Sequence, residues 1–224
     1  MKTLVFSDTH LTVKFNQKQY NKLVTLIDSV DRVIINGDFW EGLYISFEQF
    51  LKSEWSNLFH LLKSKEAVYI YGDHDNKKLS DNRVYKFCGV ATNEYLLKTQ
   101  NTNFYFTHGE KFLFPKQKKG KERWRKAQKI AFKVETITGR CIQLIVFTLF
   151  GPNFFPKIFN KMDVKTRLKI TKKDNLLVCG HSHTLQYNKK LNFVDTGFFN
   201  YGWANYMIIE ANGSFKLKQE KYCV

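Results

Sequence analysis

Five short apolar runs in this chain each stop on an aspartate or a histidine, and no other feature constrains the fold as much. Thr3-Leu4-Val5-Phe6 leads to Asp8-Thr9-His10, and the β-branched run Arg32 to Asn36 leads to Gly37-Asp38. Ala67 to Tyr71 ends at Gly72-Asp73-His74-Asp75, Asn103 to Thr107 at His108-Gly109, and Leu176 to Cys179 at Gly180-His181-Ser182-His183. Short apolar runs bounded by turn signals predict buried strands, and in α/β sheets ligands gather outside the carboxyl ends of strands. A one-residue gap, as in Asp8/His10 and His181/His183, lets both side chains of an extended segment turn into one site. The preceding glycines permit tight turns out of the strand. Taken singly, each of these residues has an ordinary core, surface or turn reading. Five strand ends in one chain point to one shared site.

Between the first three runs lie helical periodicities. Tyr20, Leu23, Val24, Ile27 and Val30 are spaced for a helix over Gln17 to Val30, and Phe47 to Leu62 repeats the pattern through Phe50, Leu51, Trp55, Leu58 and Phe59. A βαβα rhythm implies parallel strands in a layered α/β fold. Beyond Asn93 the strands come closer together, with Asn192 to Asp195, Tyr206 to Glu210 and Phe215 to Lys218 predicted. Asn212-Gly213 reads as a two-residue hairpin turn, so this half is antiparallel-rich. The 224 residues, 43% apolar and 16% aromatic, suffice for a single domain over 1–224 with one core, which excludes overall disorder. Cys88, Cys141, Cys179 and Cys223 are far apart with no Cys-x-x-Cys pair. That excludes a disulfide scaffold or thiolate zinc site and makes a reducing compartment the expectation. No export signal and no membrane-length apolar segment is visible; a cytoplasmic location is expected.

The charge is unevenly distributed. The chain carries a formal net charge of +16, yet Lys111 to Asn175 alone holds 18 Lys/Arg against 4 Asp/Glu. A nearly neutral body therefore bears one basic block. It reads either as a solvated helical face or as a surface for phosphates of lipid headgroups, nucleotides or nucleic acid. Within it, Lys121 to Thr138 places Trp124, Ala127, Ala131 and Val134 on one face of a basic amphipathic helix. The apolar run Cys141 to Phe150 follows. A helical cap insertion over about 112–173 is predicted.

In order along the chain, DTH, GD, GDHD, THG and GHSH resemble the D-x-H, G-D, G-N-H-D/E, H and G-H-x-H pattern of calcineurin-like metallophosphoesterases. The match runs from Asp8 to His183. The resemblance implies a four-layer αββα sandwich with two mixed β-sheets and the site at their carboxyl edges. It also implies two divalent metal ions, manganese first, with iron or zinc as alternatives. Asp8, His10, Asp38 and His183 would hold the first ion. Asp38 would bridge to the second, completed by Asp73, His108 and His181. His74 would face the substrate phosphate and Asp75 would orient His74. A hydroxide generated between the ions would attack phosphorus in line, with no covalent protein intermediate. One departure is Asp73, where the family pattern has asparagine: a carboxylate still binds metal, but when ionised it cannot donate a hydrogen bond to an anionic substrate.

Gly37-Asp38-Phe39-Trp40-Glu41 and the tail from Asp195-Thr196-Gly197 through Trp203 to the final hairpin resemble the UDP-2,3-diacylglucosamine hydrolase-like branch, whose members carry a cap where this chain has its basic insertion. The leading expectation is therefore a phosphoester or pyrophosphate hydrolase acting on an anionic, nucleotide-linked lipid. The cap would make peripheral contact with the inner membrane face, and Arg123, Trp124 and Arg125 would contact substrate. A nuclease or other phosphodiesterase is the second reading, with Trp124 stacking on bases. A non-catalytic binding module on the same fold is the third, motivated by Asp73.

Overall fold

The computed structural model of the chain describes residues 1–110 and 174–222. The strands are β1 (Thr3–Phe6), β2 (Arg32–Asn36), β3 (Val68–Ile70), β4 (Val90–Thr92), β5 (Tyr95–Lys98), β6 (Asn103–Phe106), β7 (Leu176–Cys179), β8 (Leu185–Asn188), β9 (Phe193–Thr196), β10 (Phe199–Asn200), β11 (Trp203–Ile209) and β12 (Phe215–Lys221). The α-helices are α1 (Gln17–Asp28), α2 (Phe47–Leu51) and α3 (Phe59–Ser64).

The first sheet has seven strands in the order β10-β11-β1-β2-β3-β4, with β12 paired to β11. Strands β1 to β4 run parallel, while β11 lies antiparallel to β1. The second has five strands, β5-β6-β7-β9-β8, parallel at its centre and antiparallel at both edges. The fold is thus an α/β sandwich of two mixed sheets, as the sequence predicts.

Strand alternation divides the core. Leu4, Phe6, Val33, Ile35 and Tyr69 join one apolar cluster with Leu23 and Ile27 of α1, Phe47 and Phe50 of α2, and Phe59 and Leu62 of α3. Their neighbours Val5, Ile34, Val68 and Ile70 turn the other way and meet Phe104, Phe106, Leu176, Val178 and Val194 of the second sheet. Side chains at i and i+1 of a strand point to opposite faces, so these largely apolar strands fill both layers at once. Each such side chain, fully buried, contributes about 1.5–3 kcal/mol. On the outer face of the second sheet, Leu177, Cys179 and Phe193 form a small third cluster. The cap insertion predicted over about 112–173 lies outside the described residues.

The helices start where capping chemistry allows. The Asn16 side chain accepts from the amides of Lys18 and Gln19, and Ser46 forms a reciprocal capping box with Gln49. The predicted continuous helix from Phe47 to Leu62 is broken into α2, a 3-10 turn over Glu54–Leu58, and α3. Ser53 turns its hydroxyl back onto the Phe50 carbonyl at 2.7 Å, and the Trp55 indole donates to the Thr12 carbonyl at 2.8 Å. A local side-chain bond and a tertiary anchor together outweigh helix continuation. The predicted two-residue hairpin is a three-residue loop instead. The Gly213 amide bonds the Glu210 carbonyl, Ile209 pairs with Phe215, and Gly213 takes φ 88°. That is a turn closed by a glycine bulge. Among the described residues no helix is long and apolar enough to cross a membrane.

Candidate metal centre

Strands β1, β2 and β3 of the first sheet and β6 and β7 of the second end at one place. The β1 and β2 loops run side by side: the amides of Asp8, His10 and Leu11 bond the carbonyls of Gly37, Asp38 and Phe39. The Asn36 side chain crosses between sheets to the Val178 carbonyl at 3.3 Å. Each loop leaves its strand abruptly. Asp8, His10, Asp38 and His183 all have φ between 45° and 55°, and they are four of seven non-glycine residues in that left-handed region among those described. Such conformations cost about 1–3 kcal/mol each and persist only where packing over-determines them. The strain is therefore concentrated at this sheet edge.

Close approach explains two glycines. A Cβ on Gly72 would lie 2.1 Å from Asp38 Oδ1, and one on Gly37 would lie 2.3 Å from His108 Nδ1.

The chain has six histidines, and all except His60 converge here. Asp38, Asp73, His108 and His181 offer one ligand atom each within 4.8 Å of one another, and so do Asp8, His10 and His183. Oδ2 of Asp38 stands between the two groups, 3.4 Å from His108 Nε2 and 3.7 Å from His10 Nε2. Oδ1 of Asp73 lies 3.3 Å from His108 Nε2 and 3.0 Å from His181 Nδ1, and Oδ1 of Asp8 lies 3.1 Å from His183 Nε2. Every side chain that the sequence proposes as a metal ligand is thus drawn into one of two adjoining clusters.

The donor set fits cations. His108 Nδ1 is 2.9 Å from the Asn36 carbonyl, which can only accept, so Nδ1 carries the proton and the neutral ring turns its Nε2 lone pair toward two carboxylates. Lone pairs facing one another need a positive charge between them. Both oxygens of Asp8, Oδ1 of Asp73 and Nε2 of His108 are also buried without a hydrogen-bond partner among the described residues. Leaving such atoms unsatisfied costs about 1–3 kcal/mol each, and a cation removes that cost. Without one, a proton serves: burial would lower the His108 pKa, but the charges of Asp38 and Asp8 raise it well above the ordinary value. Burial likewise opposes ionisation of Asp38, yet His108 holds it well below the usual carboxylate range. His10 is lowered, chiefly by burial, and stays neutral as a ligand must.

The carboxylate that meets His74 is Glu41's, which corrects the expected role of Asp75. Glu41 Oε1 is 2.8 Å from His74 Nδ1, and its Oε2 is 3.1 Å from His10 Nδ1. Burial would raise the Glu41 pKa, but these two hydrogen bonds hold it down at about 2. Burial would lower His74, but Glu41 first, then Asp38 and Asp73, push it up to about 9. Asp75 instead lies beneath the loops. Its oxygens accept from the amides of Gly72 at 2.7 Å, Asp38 at 3.1 Å and Phe39 at 2.7 Å. It therefore positions the β2 and β3 turns. Burial, then the charge of Asp38, raises its pKa to about 7.

Asp195 is a further site residue that the sequence motifs do not single out. Its Oδ2 accepts from the Ser182 hydroxyl at 2.7 Å and its Oδ1 from the Gly197 amide at 2.9 Å, pinning the turn that carries His181 and His183. The signals available were the acidic end of the Gly37–Glu41 segment and the Asp195-Thr196-Gly197 tail. Arg123, Trp124 and Arg125, proposed from sequence to contact substrate, lie outside the described residues.

No curated protein matches the chain in sequence. Similar solved structures include a novel archaeal phosphodiesterase, 13% identical over 98% of this chain and 100% of that one, TM-score 0.49. The phosphoesterase Yfce from E. coli is 13% identical over 100% of both chains, TM-score 0.47. Vacuolar Protein Sorting 29 from Cryptosporidium parvum is 13% identical over 98% of this chain and 97% of that one, TM-score 0.48. Likenesses this distant decide nothing about activity. The sequence profile of the calcineurin-like phosphoesterases is a stronger finding, because it matches residues 1–185 and so takes in every strand end that carries a ligand. With that match spanning most of its length, the chain belongs to the calcineurin-like phosphoesterase family.

Proposed function

We propose that this protein is a metal-dependent phosphoesterase that holds two divalent cations at the joined sheet edges. The observation that carries this reading is the pair of adjoining Asp/His clusters, with Asp38 Oδ2 between them and His74 beside them. Asp8, His10, Asp38 and His183 would hold one ion; Asp38, Asp73, His108 and His181 the other. Manganese is the first expectation, with iron or zinc as alternatives, because mixed carboxylate and imidazole donors suit these ions. When bound, such ions supply Lewis acidity toward water and toward phosphoryl oxygens.

The chain's own residues do the rest. Glu41 fixes the Nδ1 proton on both His10 and His74, so His10 presents Nε2 to the centre and His74 presents an Nε2–H toward substrate. With its pKa raised, His74 is protonated at neutral pH and can donate to a phosphate oxygen or to the leaving group. No activated serine or cysteine is needed.

For substrate, we infer an anionic phosphoester or pyrophosphate, and specifically a nucleotide-linked lipid of the UDP-2,3-diacylglucosamine type. The support is the Gly37–Glu41 segment and a basic block whose sequence interleaves apolar residues of a kind that suits acyl chains. The test is hydrolysis of bis(4-nitrophenyl) phosphate by chelator-stripped protein with and without Mn²⁺, beside a lipid-linked pyrophosphate. Activity restored by Mn²⁺ and lost in His74→Ala supports the hydrolase reading. Substituting Trp124, Ile142 and Phe147 should then impair the lipid substrate and spare the small diester. Equal loss on both would remove the lipid reading, and steeply salt-dependent nucleic-acid binding would favour a nuclease.

A further inference from the structure

Of the acidic side chains at the centre among the described residues, Asp73 alone reaches the open side. Asp8, Asp38, Glu41 and Asp75 are buried, whereas the Asp73 side chain is 33% exposed. Its two oxygens face different ways. Oδ1 lies among the ligand atoms, near His108 and His181, while Oδ2 lies 3.7 Å from Nε2 of His74. Because Glu41 occupies Nδ1 of His74, Nε2 is the only nitrogen that ring has for substrate. A phosphate oxygen that reaches it must therefore lie beside a carboxylate.

We propose that Asp73 selects substrate by charge, so that the site favours phosphoryl groups with one negative charge, as in phosphodiesters and pyrophosphate diesters, over the dianions of phosphomonoesters. This rests on the phosphoesterase reading and names its substrate class. The physical argument is that Coulomb repulsion scales with the product of charges, so a dianion meets twice the penalty of a monoanion at the same place. Two features strengthen the effect. The carboxylate is acceptor-only and offers the substrate no hydrogen bond in compensation. It also lies beside Nε2 of His74, so substrate must share that donor with a carboxylate. An aspartate carboxylate is ionised throughout neutral pH.

The experiment compares the wild-type protein with Asp73→Asn and Asp73→Ala, all at saturating Mn²⁺ and about pH 8.5, where orthophosphate is a dianion. Calorimetry measures Kd for orthophosphate and for the monoanion dimethyl phosphate. The proposal expects both variants to tighten orthophosphate by about tenfold and dimethyl phosphate by only about threefold, the square root of that factor. The ratio of kcat/KM for 4-nitrophenyl phosphate to that for its bis-ester should rise in parallel. Tightening in Asp73→Asn alone would assign the effect to a new amide donor and overturn the charge argument. So would equal changes for both anions, or none. Orthophosphate binding to none of the three proteins would overturn the proposal together with the phosphoesterase reading, whereas binding without discrimination would overturn the proposal only.

Discussion

Replacing Glu41 by glutamine removes the one carboxylate that takes a hydrogen bond from both His10 and His74. The amide keeps one oxygen but turns an NH₂ toward the other ring, so one Nδ1–H faces a donor. The magnitude follows from His74. Its pKa is raised from 6.5 to about 9, with Glu41 the foremost of the groups raising it. That span corresponds to about 3 kcal/mol of preference for the imidazolium. In metal-free Glu41→Gln, His74 should titrate lower by about one pH unit or more. The lost charged hydrogen bonds should lower stability by about 2–3 kcal/mol, or roughly 5–10 °C in Tm for a chain of this size.

The pH window follows from the signs. Glu41 is depressed from 4.5 to about 2, so its contribution is present above pH 4.5 and lost as pH falls through 2. His74 is raised, so its contribution is full below pH 6.5 and lost as pH rises through about 9. The Tm difference between wild type and variant should therefore be greatest between these limits and shrink toward pH 9. NMR titration of the His74 ring and thermal melts across pH measure both. An unchanged His74 titration, or a Tm difference that grows above pH 9, would refute the reasoning.

Three further outcomes are expected. Gly72→Ala places a methyl 2.1 Å from Asp38 Oδ1, so it should lower Tm and weaken Mn²⁺ binding by about tenfold or more; unchanged affinity would show that the turn relaxes without cost. Asp75 is raised from 3.8 to about 7, so the metal-free folded state binds more protons than the unfolded one in that window. Wild type should lose stability relative to Asp75→Asn as pH rises from about 4 to about 7, and parallel melting curves across that range would contradict this. Finally, chelation should lower Tm and Mn²⁺ restore it with a concentration dependence near RT ln(1 + [L]/Kd), about 2.7 kcal/mol at a hundredfold excess over Kd. A Tm indifferent to Mn²⁺ concentration would count against metal binding.

The fold was most legible where burial and periodicity agree. β1, β2 and β7 coincide with the predicted runs because both faces of these strands are buried, leaving continuous apolar signals. β4, β5 and β8 were not foreseen. They are edge strands with half-exposed sequences such as LQYN, which carry no alternation strong enough to read. The candidate ligands were visible because each follows its strand within a few residues. The Glu41 bridge was not, since it depends on two histidines from different loops lying 4.7 Å apart, ring to ring. The position of Asp75 is hidden from the sequence for a similar reason. Adjacency in sequence suggested contact with His74, whereas the chain turns at Gly72 and sends Asp75 inward to three backbone amides.

The most direct test of the central claim is the number of Mn²⁺ ions bound at equilibrium by chelator-stripped, reloaded protein, determined by elemental analysis and electron paramagnetic resonance, beside Asp38→Ala. With Asp38 Oδ2 between the clusters, the account predicts two magnetically coupled ions per chain in the wild type and one or none in the variant. A wild-type protein that binds no Mn²⁺, or an Asp38→Ala protein that loads identically, would contradict it.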